Sequence, residues 1–469
     1  MSSDVPSERA GVAHEDGASG AGAGATSAGE ASTNSGGTRP GTAFERMTRG
    51  PSERSAVADE QRALPILSTV APRVRLPTGA GAVGARRRAP QPAYTPAPIA
   101  GRPHAEEIRH WLDVLEATPL LELGARADAL RAEKHPEGVV SYIVDRNINY
   151  SNVCVTDCRF CAFYRRPKDD EAYVLGYDEV GTKIEEARAV GAVQILMQGG
   201  HNPYLPLDWY TGLLRHIKAH HPIHVHAFSA SEIQMIARVS KLPEERVLRE
   251  LHDAGLDSMP GAGAEVLVDA VRDFIAPKKI DSERWLEIHG MAHEVGMHTT
   301  ATMMYGVGES WADRLEHLLQ LRASQQRSLD AGHGGRYTAF ISWSFQPSQT
   351  EMQDWDIELG TGMDYLKMTA LSRLVLDNFD NVQVSYVTQG PKMAQIALGF
   401  GANDFGSLML EENVVSATGI DFIMPEAEIR RLIEDAGFTP RRRYQDYTLV
   451  DESDEGCPCC ARGAALAAR

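Results

Sequence analysis

The hydrophobic and polar positions divide the chain into a long unpatterned start and a strongly patterned remainder. Residues 1–95 are rich in Ala, Gly, Ser, Thr and Pro and show no regular spacing of apolar side chains. Such a composition cannot bury enough apolar surface to offset the entropy lost on folding. We therefore expect residues 1–95 to form a disordered tail. Acidic residues scattered through this segment argue against an organelle transit peptide.

From residue 104 onwards, amphipathic and apolar segments alternate. Residues 105–134 have the spacing of apolar positions that is typical of helices, and they lead into the first predicted strand. Short apolar or β-branched runs then recur, with helical stretches between them. Eight of these runs are expected to be strands: 140–148, 193–198, 223–228, 256–259, 299–304, 338–345, 382–387 and about 404–409.

Eight strand–helix units in this order predict an α/β fold, a (β/α)8 barrel of the TIM type with a helical lead-in. A doubly wound open sheet shows the same alternation and stays open as an alternative. The barrel domain is expected at residues 104–445, and a flexible C-terminal tail at 446–469. The last helix, PEAEIRRLIEDAGF, and the strand in RRRYQDYTLV are expected to pack outside the barrel.

Several predicted strands carry polar side chains at alternate positions. Successive side chains of a strand point to opposite faces, so one alternating set faces the barrel interior. The interior of such barrels is generally filled by Val, Ile and Leu, and polar inward positions therefore favour a cavity for a polar ligand. A set of buried groups that hydrogen-bond to one another is the alternative. The polar pairs are Gln194 and Gln198, His224 and His226, Thr300 and Thr302, and Gln383 and Ser385.

Composition and charge narrow the class of partner. The chain has 469 residues and a formal net charge of −17. Proteins that bind nucleic acid usually present a concentrated basic face, so a small-molecule partner is expected instead. No stretch reaches the roughly 18 consecutive apolar residues that span a bilayer, and the N-terminus has no signal-peptide pattern. These features predict a cytoplasmic protein that binds neither nucleic acid nor membrane.

The six cysteines form two tight groups, which is typical of metal binding rather than of a disulfide scaffold. Cys154, Cys158 and Cys161 form a CxxxCxxC pattern directly after the first predicted strand, on the face of a barrel that carries catalytic residues. Zinc commonly takes four protein ligands, and no second pair lies nearby. Three thiolates in one loop suit an iron–sulfur cluster that keeps one iron open to an exchangeable ligand.

The second cysteine group, Cys457, Cys459 and Cys460, lies near the C-terminus. An auxiliary cluster, a zinc site, a redox-active thiol group and an unstructured terminus would each fit three thiols with no histidine nearby. We expect an unstructured terminus. His224 and His226 could also resemble a metal site, but two histidines without a nearby carboxylate or cysteine are more often core or substrate contacts.

The cysteine loop resembles that of the radical S-adenosylmethionine (SAM) superfamily, whose hallmark is CxxxCxΦC with an aromatic residue at Φ, here Phe160. The resemblance implies a 4Fe–4S cluster whose open iron chelates SAM, and cleavage of SAM to a 5′-deoxyadenosyl radical. Two further SAM-binding motifs match, although Thr302 stands where the second motif has its first glycine. They are Gln198-Gly199-Gly200, similar to the motif that contacts the methionine amino group, and Thr302, Gly306 and Glu309, similar to the GxIxGxxE motif near the adenosyl moiety.

Longer stretches within residues 104–440 resemble the cyclic dehypoxanthine futalosine synthase family of the futalosine route to menaquinone. They include VQILMQGG, PIHVHAFSASEI, TTATMMYGVGES and FISWSFQPSQTEM. The resemblance implies an oxidoreductase that abstracts hydrogen from the ribose-derived part of dehypoxanthine futalosine and cyclises it, with an electron donor such as flavodoxin or ferredoxin. An enzyme similar to aminofutalosine synthase is one alternative. A metal-binding barrel without radical chemistry is the alternative from another class.

The residues that hold the substrate are expected mainly among the inward polar positions and in the GAGAE segment. The resemblance implies that they keep the reacting ribose carbon within near-attack distance, about 3–4 Å, of the adenosyl carbon. No residue is assigned to the removal of the final proton. The expected substrate contacts are His226, Glu265, Thr300, Ser342 and Gln383.

Overall fold

The computed structural model describes residues 94–420 and 422–451. Residues 1–93 and 452–469 lie outside the described residues, and with them lie most of the predicted N-terminal tail and the second cysteine group. The expectations about those segments stay predictions.

Strands and helices alternate along the described chain. The strands are β1 (Val139–Ile143), β2 (Asp145–Asn149), β3 (Gln194–Gln198), β4 (His224–Ala227), β5 (Ser258–Met259), β6 (His298–Tyr305), β7 (Tyr337–Ser344), β8 (Asn381–Gln383), β9 (Asp404–Ser407) and β10 (Thr439–Arg442). The helices are α1 (Ala105–Ala117), α2 (Leu120–Lys134), α3 (Tyr177–Ala189), α4 (Leu207–His220), α5 (Ala230–Ser240), α6 (Glu244–Ala254), α7 (Asp269–Ile275), α8 (Ser282–Glu294), α9 (Trp311–Asp330), α10 (Gly362–Val375), α11 (Tyr386–Gln389), α12 (Pro391–Ala397) and α13 (Glu426–Asp435). The helical lead-in is therefore present as α1 and α2.

The sheet is parallel throughout, with the strand order β10-β1-β9-β8-β7-β6-β5-β4-β3-β2. Only Val144 separates β1 from β2, so they are two halves of one long strand. Because β1 pairs with β9 and β2 pairs with β3, this strand joins the two ends of the sheet. The sheet thereby closes into a barrel of eight strand positions, with β10 beside β1. The predicted (β/α)8 fold is confirmed, and the doubly wound alternative is wrong.

The helices that cover the barrel are amphipathic, as α6 illustrates. Its apolar residues recur every three or four positions, and Val247, Leu248 and Leu251 are buried on the side of the helix that packs against α4, α5 and α8. Full burial of each such side chain contributes about 1.5–3 kcal/mol. The helix follows Pro243 and ends at Gly255, whose φ of 113° favours glycine. No described helix is long and apolar enough to cross a membrane.

The seventh predicted strand, which corresponds to β8, is shorter than predicted. The sequence predicts a strand over 382–387, whereas β8 ends at Gln383 and α11 begins at Tyr386. The reason is that the Ser385 N–H donates to the hydroxyl of Tyr365, at 2.8 Å, instead of to a neighbouring strand. The Ser385 carbonyl then accepts the N–H of Gln389, at 3.0 Å, which starts a helical turn.

The folded domain also extends beyond the predicted boundary at residue 445. After β10 the chain turns back on itself, and the Val450 N–H donates to the Arg442 carbonyl at 2.9 Å. Arg443 and Val450 are buried, and the guanidinium of Arg443 lies 4.0 Å from the centroid of the Tyr447 ring. We call Arg443–Leu449 the C-terminal turn. The charged residues of this turn are typical of a solvated tail. Arg443, however, forms an ion pair with the buried Asp404, which holds the turn in the fold.

The C-terminal turn closes the N-terminal end of the barrel. A cavity of about 350 Å³ is lined by Tyr447 and Leu449 of the turn and by Val139, Thr338 and Asn381, which lie at or next to the starts of strands. The strand predicted in RRRYQDYTLV is therefore only partly outside the barrel. Its first residues extend the sheet, and the rest forms a floor.

Candidate active site

A cavity of about 440 Å³ occupies the barrel interior. The cysteine loop lies at one end of it, and the C-terminal turn contributes to the other end. The catalytic groups of such barrels lie at the C-terminal strand ends, where the cysteine loop is. The predicted site residues that line the cavity are Cys154, Cys158, Phe160, Cys161, Gln198, Gly199, Gly200, His226, Glu265, Thr300, Thr302 and Gln383.

Backbone hydrogen bonds hold the cysteine loop on both sides. The Cys154 N–H donates to the Arg165 carbonyl at 2.8 Å, and the Arg159 N–H donates to the Ile275 carbonyl at 3.0 Å, at the end of α7. Within the loop, the Cys161 N–H donates to the Cys158 carbonyl at 3.1 Å. The three thiols are therefore presented to the cavity by a loop whose backbone is fixed.

Gly199 and Gly200 allow the end of β3 to approach this loop closely. A Cβ on Gly200 would lie 2.2 Å from the Val153 carbonyl oxygen, and one on Gly199 would lie 2.4 Å from the Tyr150 ring. The Gly200 N–H donates to the Ser151 carbonyl at 2.9 Å. Both positions require glycine for space, and the pair positions the residues that directly precede Cys154.

The donor set fits a 4Fe–4S cluster. Burial raises the pKa of the Cys158 thiol to about 12 and also raises that of Cys161. Such thiols become thiolates when a cationic metal centre binds them. Among the described residues, no three His, Cys, Asp or Glu side chains converge to hold a single metal ion. Each thiolate of a 4Fe–4S cluster binds a different iron, so the three cysteines need no such convergence.

Lys279 lies beside the cysteine loop, although no sequence motif marks it. Its Nζ forms an ion pair with Glu265, with side chains only 10% and 7% exposed. The same Nζ lies 5.4 Å from the centroid of the Phe160 ring. Burial lowers the pKa of Lys279, but the combined attraction of Glu265 and Cys158 raises it above its ordinary value. Lys279 is therefore a buried cation at the cofactor end of the cavity.

Thr300 and Thr302 hold the loop that leads to Glu265. The Gly261 N–H donates to Thr300 Oγ1 at 2.9 Å, and Thr302 Oγ1 donates to the Gly261 carbonyl at 2.6 Å. A Cβ on Gly261 would lie 2.5 Å from the Thr300 carbonyl oxygen. Both threonines line the cavity, and their hydroxyls also position the Gly261–Glu265 loop.

Gly306 and Glu309 shape the turn after β6 and are not among the residues that line the cavity. The Glu309 carboxylate accepts the N–H groups of Gly306 and Val307, both at 2.8 Å, and pairs with Arg314 at 2.7 Å. Gly306 has a φ of 86°, and a Cβ there would lie 2.6 Å from the Gly360 nitrogen. The structure thus gives both residues a role in the backbone, and their contact with a cofactor stays a prediction.

Ser342 is not brought to the cavity wall. Its neighbours Ile341 and Trp343 line the cavity, and strand alternation points Ser342 to the opposite face. The β7 residues that line the cavity are Ile341, Trp343 and the last residue, Ser344, so polarity alone does not identify the inward positions of this strand. His224 is also absent from the lining, and its Nε2 contacts Ser258 Oγ at 2.7 Å.

His226 reaches the cavity as a neutral side chain. Burial lowers its pKa well below the ordinary value. Its Nδ1 contacts Ser258 Oγ at 2.7 Å, and its Nε2 contacts Gln445 Nε2 at 3.4 Å. Because the Gln445 amide nitrogen only donates, His226 Nε2 is the acceptor and Nδ1 carries the proton. The C-terminal turn thus selects the tautomer of a cavity histidine.

Two family models match this chain. The model of the Radical SAM superfamily matches residues 148–321, and that of the CofH/MqnC C-terminal region matches residues 334–455. A cyclic dehypoxanthine futalosine synthase of Halalkalibacterium halodurans is 46% identical over 336 residues, which cover 71% of this chain and 89% of that protein. The chain belongs to the radical SAM superfamily. It is an enzyme of that superfamily that acts on a small molecule, and the membership implies a 4Fe–4S cluster and SAM.

Further relatives of this radical SAM enzyme carry two different names. A cyclic dehypoxanthine futalosine synthase of Streptomyces coelicolor is 41% identical over 369 residues, covering 78% of this chain and 90% of that protein. A 5-amino-6-(D-ribitylamino)uracil–L-tyrosine 4-hydroxyphenyl transferase of Archaeoglobus fulgidus is 40% identical over 330 residues, covering 69% and 92%. Methylornithine synthase shares the fold, with a TM-score of 0.55 and 15% identity over 72% of this chain and 94% of that one.

Proposed function

We propose that this radical SAM enzyme oxidatively cyclises dehypoxanthine futalosine to cyclic dehypoxanthine futalosine, by hydrogen abstraction and carbon–carbon bond formation. The observation that carries the proposal is the 46% identity to a synthase of that name over 89% of its length. The geometry supports it, because the three cysteines open onto a cavity inside the same barrel, and inward polar side chains contribute to its lining.

The cavity lining supports an assignment of residues to each bound group. Cys154, Cys158 and Cys161 would hold the cluster. Phe160 and the Gln198–Gly200 segment would contact SAM, with Thr302 on the opposite wall. When bound, these groups supply an organic radical that can abstract hydrogen from carbon. The buried Lys279–Glu265 ion pair would fix the charge distribution at the cofactor end of the cavity.

The chain itself has to position the substrate and exclude water. His226, Thr300 and Gln383 line the cavity and would hold the polar groups of the substrate. The C-terminal turn closes the opposite end with Arg443 and Gln445, both buried. A closed floor keeps water from a reactive carbon radical, and fixed polar groups hold the reacting atoms at near-attack distance.

A second candidate function is the transfer of a 4-hydroxyphenyl group. It is favoured by the 40% identity to the Archaeoglobus transferase, over 92% of that protein. The names of the relatives therefore leave two substrates to be compared directly.

The test is product analysis with anaerobically purified, cluster-loaded enzyme, SAM and reduced flavodoxin, ferredoxin or dithionite. We expect a product two hydrogens lighter than dehypoxanthine futalosine. No adduct should form from 5-amino-6-(D-ribitylamino)uracil and tyrosine, or from the enol-ether substrate of aminofutalosine synthase. A hydroxyphenyl adduct without cyclisation would select the second candidate. Colourless protein, or visible absorbance that does not bleach on reduction, would contradict both.

A further inference from the structure

Two buried amide side chains on neighbouring strands have oxygens that lack a partner among the described residues. Asn147 of β2 is 4% exposed and Gln194 of β3 is 3% exposed, and both line the main cavity. Asn147 Oδ1 and Gln194 Oε1 accept no hydrogen bond from the described chain. An unpaired buried acceptor is costly and needs a donor. A cavity ligand with hydrogen-bond donors would supply it.

A buried carboxylate orients each amide. Gln194 Nε2 donates to Asp145 Oδ2 at 2.7 Å, and Asn147 Nδ2 points to Glu412 Oε1 at 3.5 Å. In both contacts the carboxylate oxygen is the acceptor, so each amide turns its NH2 group towards the carboxylate and leaves its oxygen as the free end. The unpaired oxygens therefore follow from the surroundings of the two side chains.

The carboxylates that orient the amides are themselves held in place. The Glu412 carboxylate accepts the backbone N–H groups of Val414, at 3.1 Å, and Val415, at 2.7 Å. Asp145 Oδ1 accepts the hydroxyl of Ser407. The amide oxygens are consequently presented by a rigid, acceptor-rich wall, which suits hydroxyl groups and disfavours an anionic group such as a benzoate.

The spacing of the two oxygens suits two hydroxyl groups on one small molecule. Asp145 is the register partner of Gln194, and Asn147 is that of Leu196, so the two amides lie one pleat repeat apart on adjacent strands. Such a diagonal pair lies about 7–8 Å apart, which a diol can bridge when each hydroxyl reaches about 2.8 Å to its acceptor. One repeat further, Asn149 Nδ2 donates to the Gln198 carbonyl at 3.3 Å, next to the cofactor end.

We propose that Asn147 Oδ1 and Gln194 Oε1 form the subsite that binds the hydroxyl groups of the ribose-derived part of the substrate. This inference rests on the proposed function, whose substrate carries such a polyol. Asn147 and Gln194 lie one and two pleat repeats from the level of Gln198, so a ribose held there lies deeper in the barrel than the residues assigned to SAM. Asn147 and Gln194 are thus specificity-determining residues.

The first test measures the Kd of dehypoxanthine futalosine by calorimetry, with cluster-loaded anaerobic enzyme and SAM but no reductant, so that no turnover occurs. Asn147→Leu and Gln194→Met remove the amide oxygens at similar side-chain size. Each should weaken binding about five- to tenfold, the loss of one hydrogen bond. Asn378→Leu is the matched control, since its buried Oδ1 is also unpaired but the residue does not line the cavity. Its Kd should be unchanged.

The second test uses substrate analogues that each lack one ribose hydroxyl. The wild-type enzyme should bind one of them about five- to tenfold more weakly than the full substrate. Asn147→Leu or Gln194→Met should bind that analogue and the full substrate equally, because the acceptor is gone. If both variants still bind the analogue more weakly than the full substrate, as the wild type does, the amide oxygens bind water and the proposed subsite is wrong. Gln194→Met serves alone if Asn147→Leu does not fold.

A wild-type enzyme that does not bind dehypoxanthine futalosine would reject the proposed function. The subsite would then be measured with 5-amino-6-(D-ribitylamino)uracil, whose ribityl chain offers the same donors. Weaker binding of that compound by both variants would keep the subsite and change the substrate. Failure of the wild type to bind either compound would reject the function and the subsite together.

Discussion

Arg443 of the C-terminal turn and Asp404 of β9 form an ion pair inside the barrel, with side chains only 3% and 0% exposed. Two contacts join them, Nε to Oδ2 at 2.5 Å and Nη2 to Oδ1 at 3.0 Å. Asp404 also accepts the Ser141 hydroxyl at 2.6 Å. The floor of the reaction cavity is therefore tied to the strand ring by one buried charge pair.

Arg443→Met should lower the free energy of unfolding by about 3–5 kcal/mol, because it leaves the Asp404 carboxylate buried without its partner. The measurement is denaturant unfolding of the cluster-loaded protein under anaerobic conditions. Arg431→Met is the control, since that arginine pairs with Glu428 and Asp435 on the exposed face of α13. Equal losses in the two variants would show that the floor does not depend on the buried pair.

Gly200→Ala should lower the iron content per chain, because its Cβ would lie 2.2 Å from the Val153 oxygen and displace the start of the cysteine loop. The matched control is Gly290→Ala in α8, where a Cβ would meet nothing within 4 Å. Alanine is favoured over glycine in a helix interior by about 1 kcal/mol, so the control should keep its iron and its thermal stability. Full iron content in Gly200→Ala would contradict the close-approach argument.

Single changes of Cys154, Cys158 or Cys161 to Ala should abolish the cluster and all SAM cleavage, because two thiolates do not hold it. Iron content and visible absorbance of anaerobically purified protein measure the effect. Replacing Cys457, Cys459 and Cys460 together should leave activity within about a few-fold, since a terminal segment with three thiols need not hold metal. A marked fall in iron in that triple variant would reveal a second cluster.

His293 of α8 should make the protein sensitive to acid. Burial lowers its pKa to about 3, and its ring nitrogens contact Ser328 Oγ at 2.7 Å and Thr299 Oγ1 at 2.9 Å. In the unfolded chain the pKa is about 6.5, so below that pH the unfolded state binds a proton that the folded state does not. The stability that neutral His293 provides is therefore lost as the pH falls towards 3.

His293→Gln removes this proton linkage and tests it. The variant should be less stable than the wild type at pH 7.5, and the gap in the free energy of unfolding should narrow by about 1.4 kcal/mol at pH 5.5. Unfolding curves at the two pH values give the comparison. A gap that does not change with pH would mean that His293 does not titrate differently in the two states.

The barrel is predictable from the sequence because the residue patterns that specify its strands are local and periodic. All eight predicted strand runs contain a strand, and the inward polar sets of β3 and β6 line the cavity through Gln194, Gln198, Thr300 and Thr302. Period-two alternation within one strand fixes which face a side chain takes. The cysteine loop is likewise predictable, because spacing and position after a strand are visible in the sequence.

Features that depend on distant segments are not predictable in this way. Lys279 reaches Glu265 and Phe160 only because α7 and the loop after it fold over the cysteine loop. Arg443 resembles a solvated tail residue until Asp404 is known to lie opposite it. Ser342 is absent from the cavity lining while its neighbours Ile341 and Trp343 are part of it, and polarity alone does not reveal that.

The central claim is tested most directly with dehypoxanthine futalosine that carries deuterium at C4′ of its ribose-derived part. Cluster-loaded enzyme, SAM and reductant should transfer the deuterium into 5′-deoxyadenosine, and mass spectrometry should show a cyclised product that has lost that label. Unlabelled 5′-deoxyadenosine, or a product that retains adenosine or gains a hydroxyphenyl group, would contradict hydrogen abstraction from the ribose and with it the proposed cyclisation.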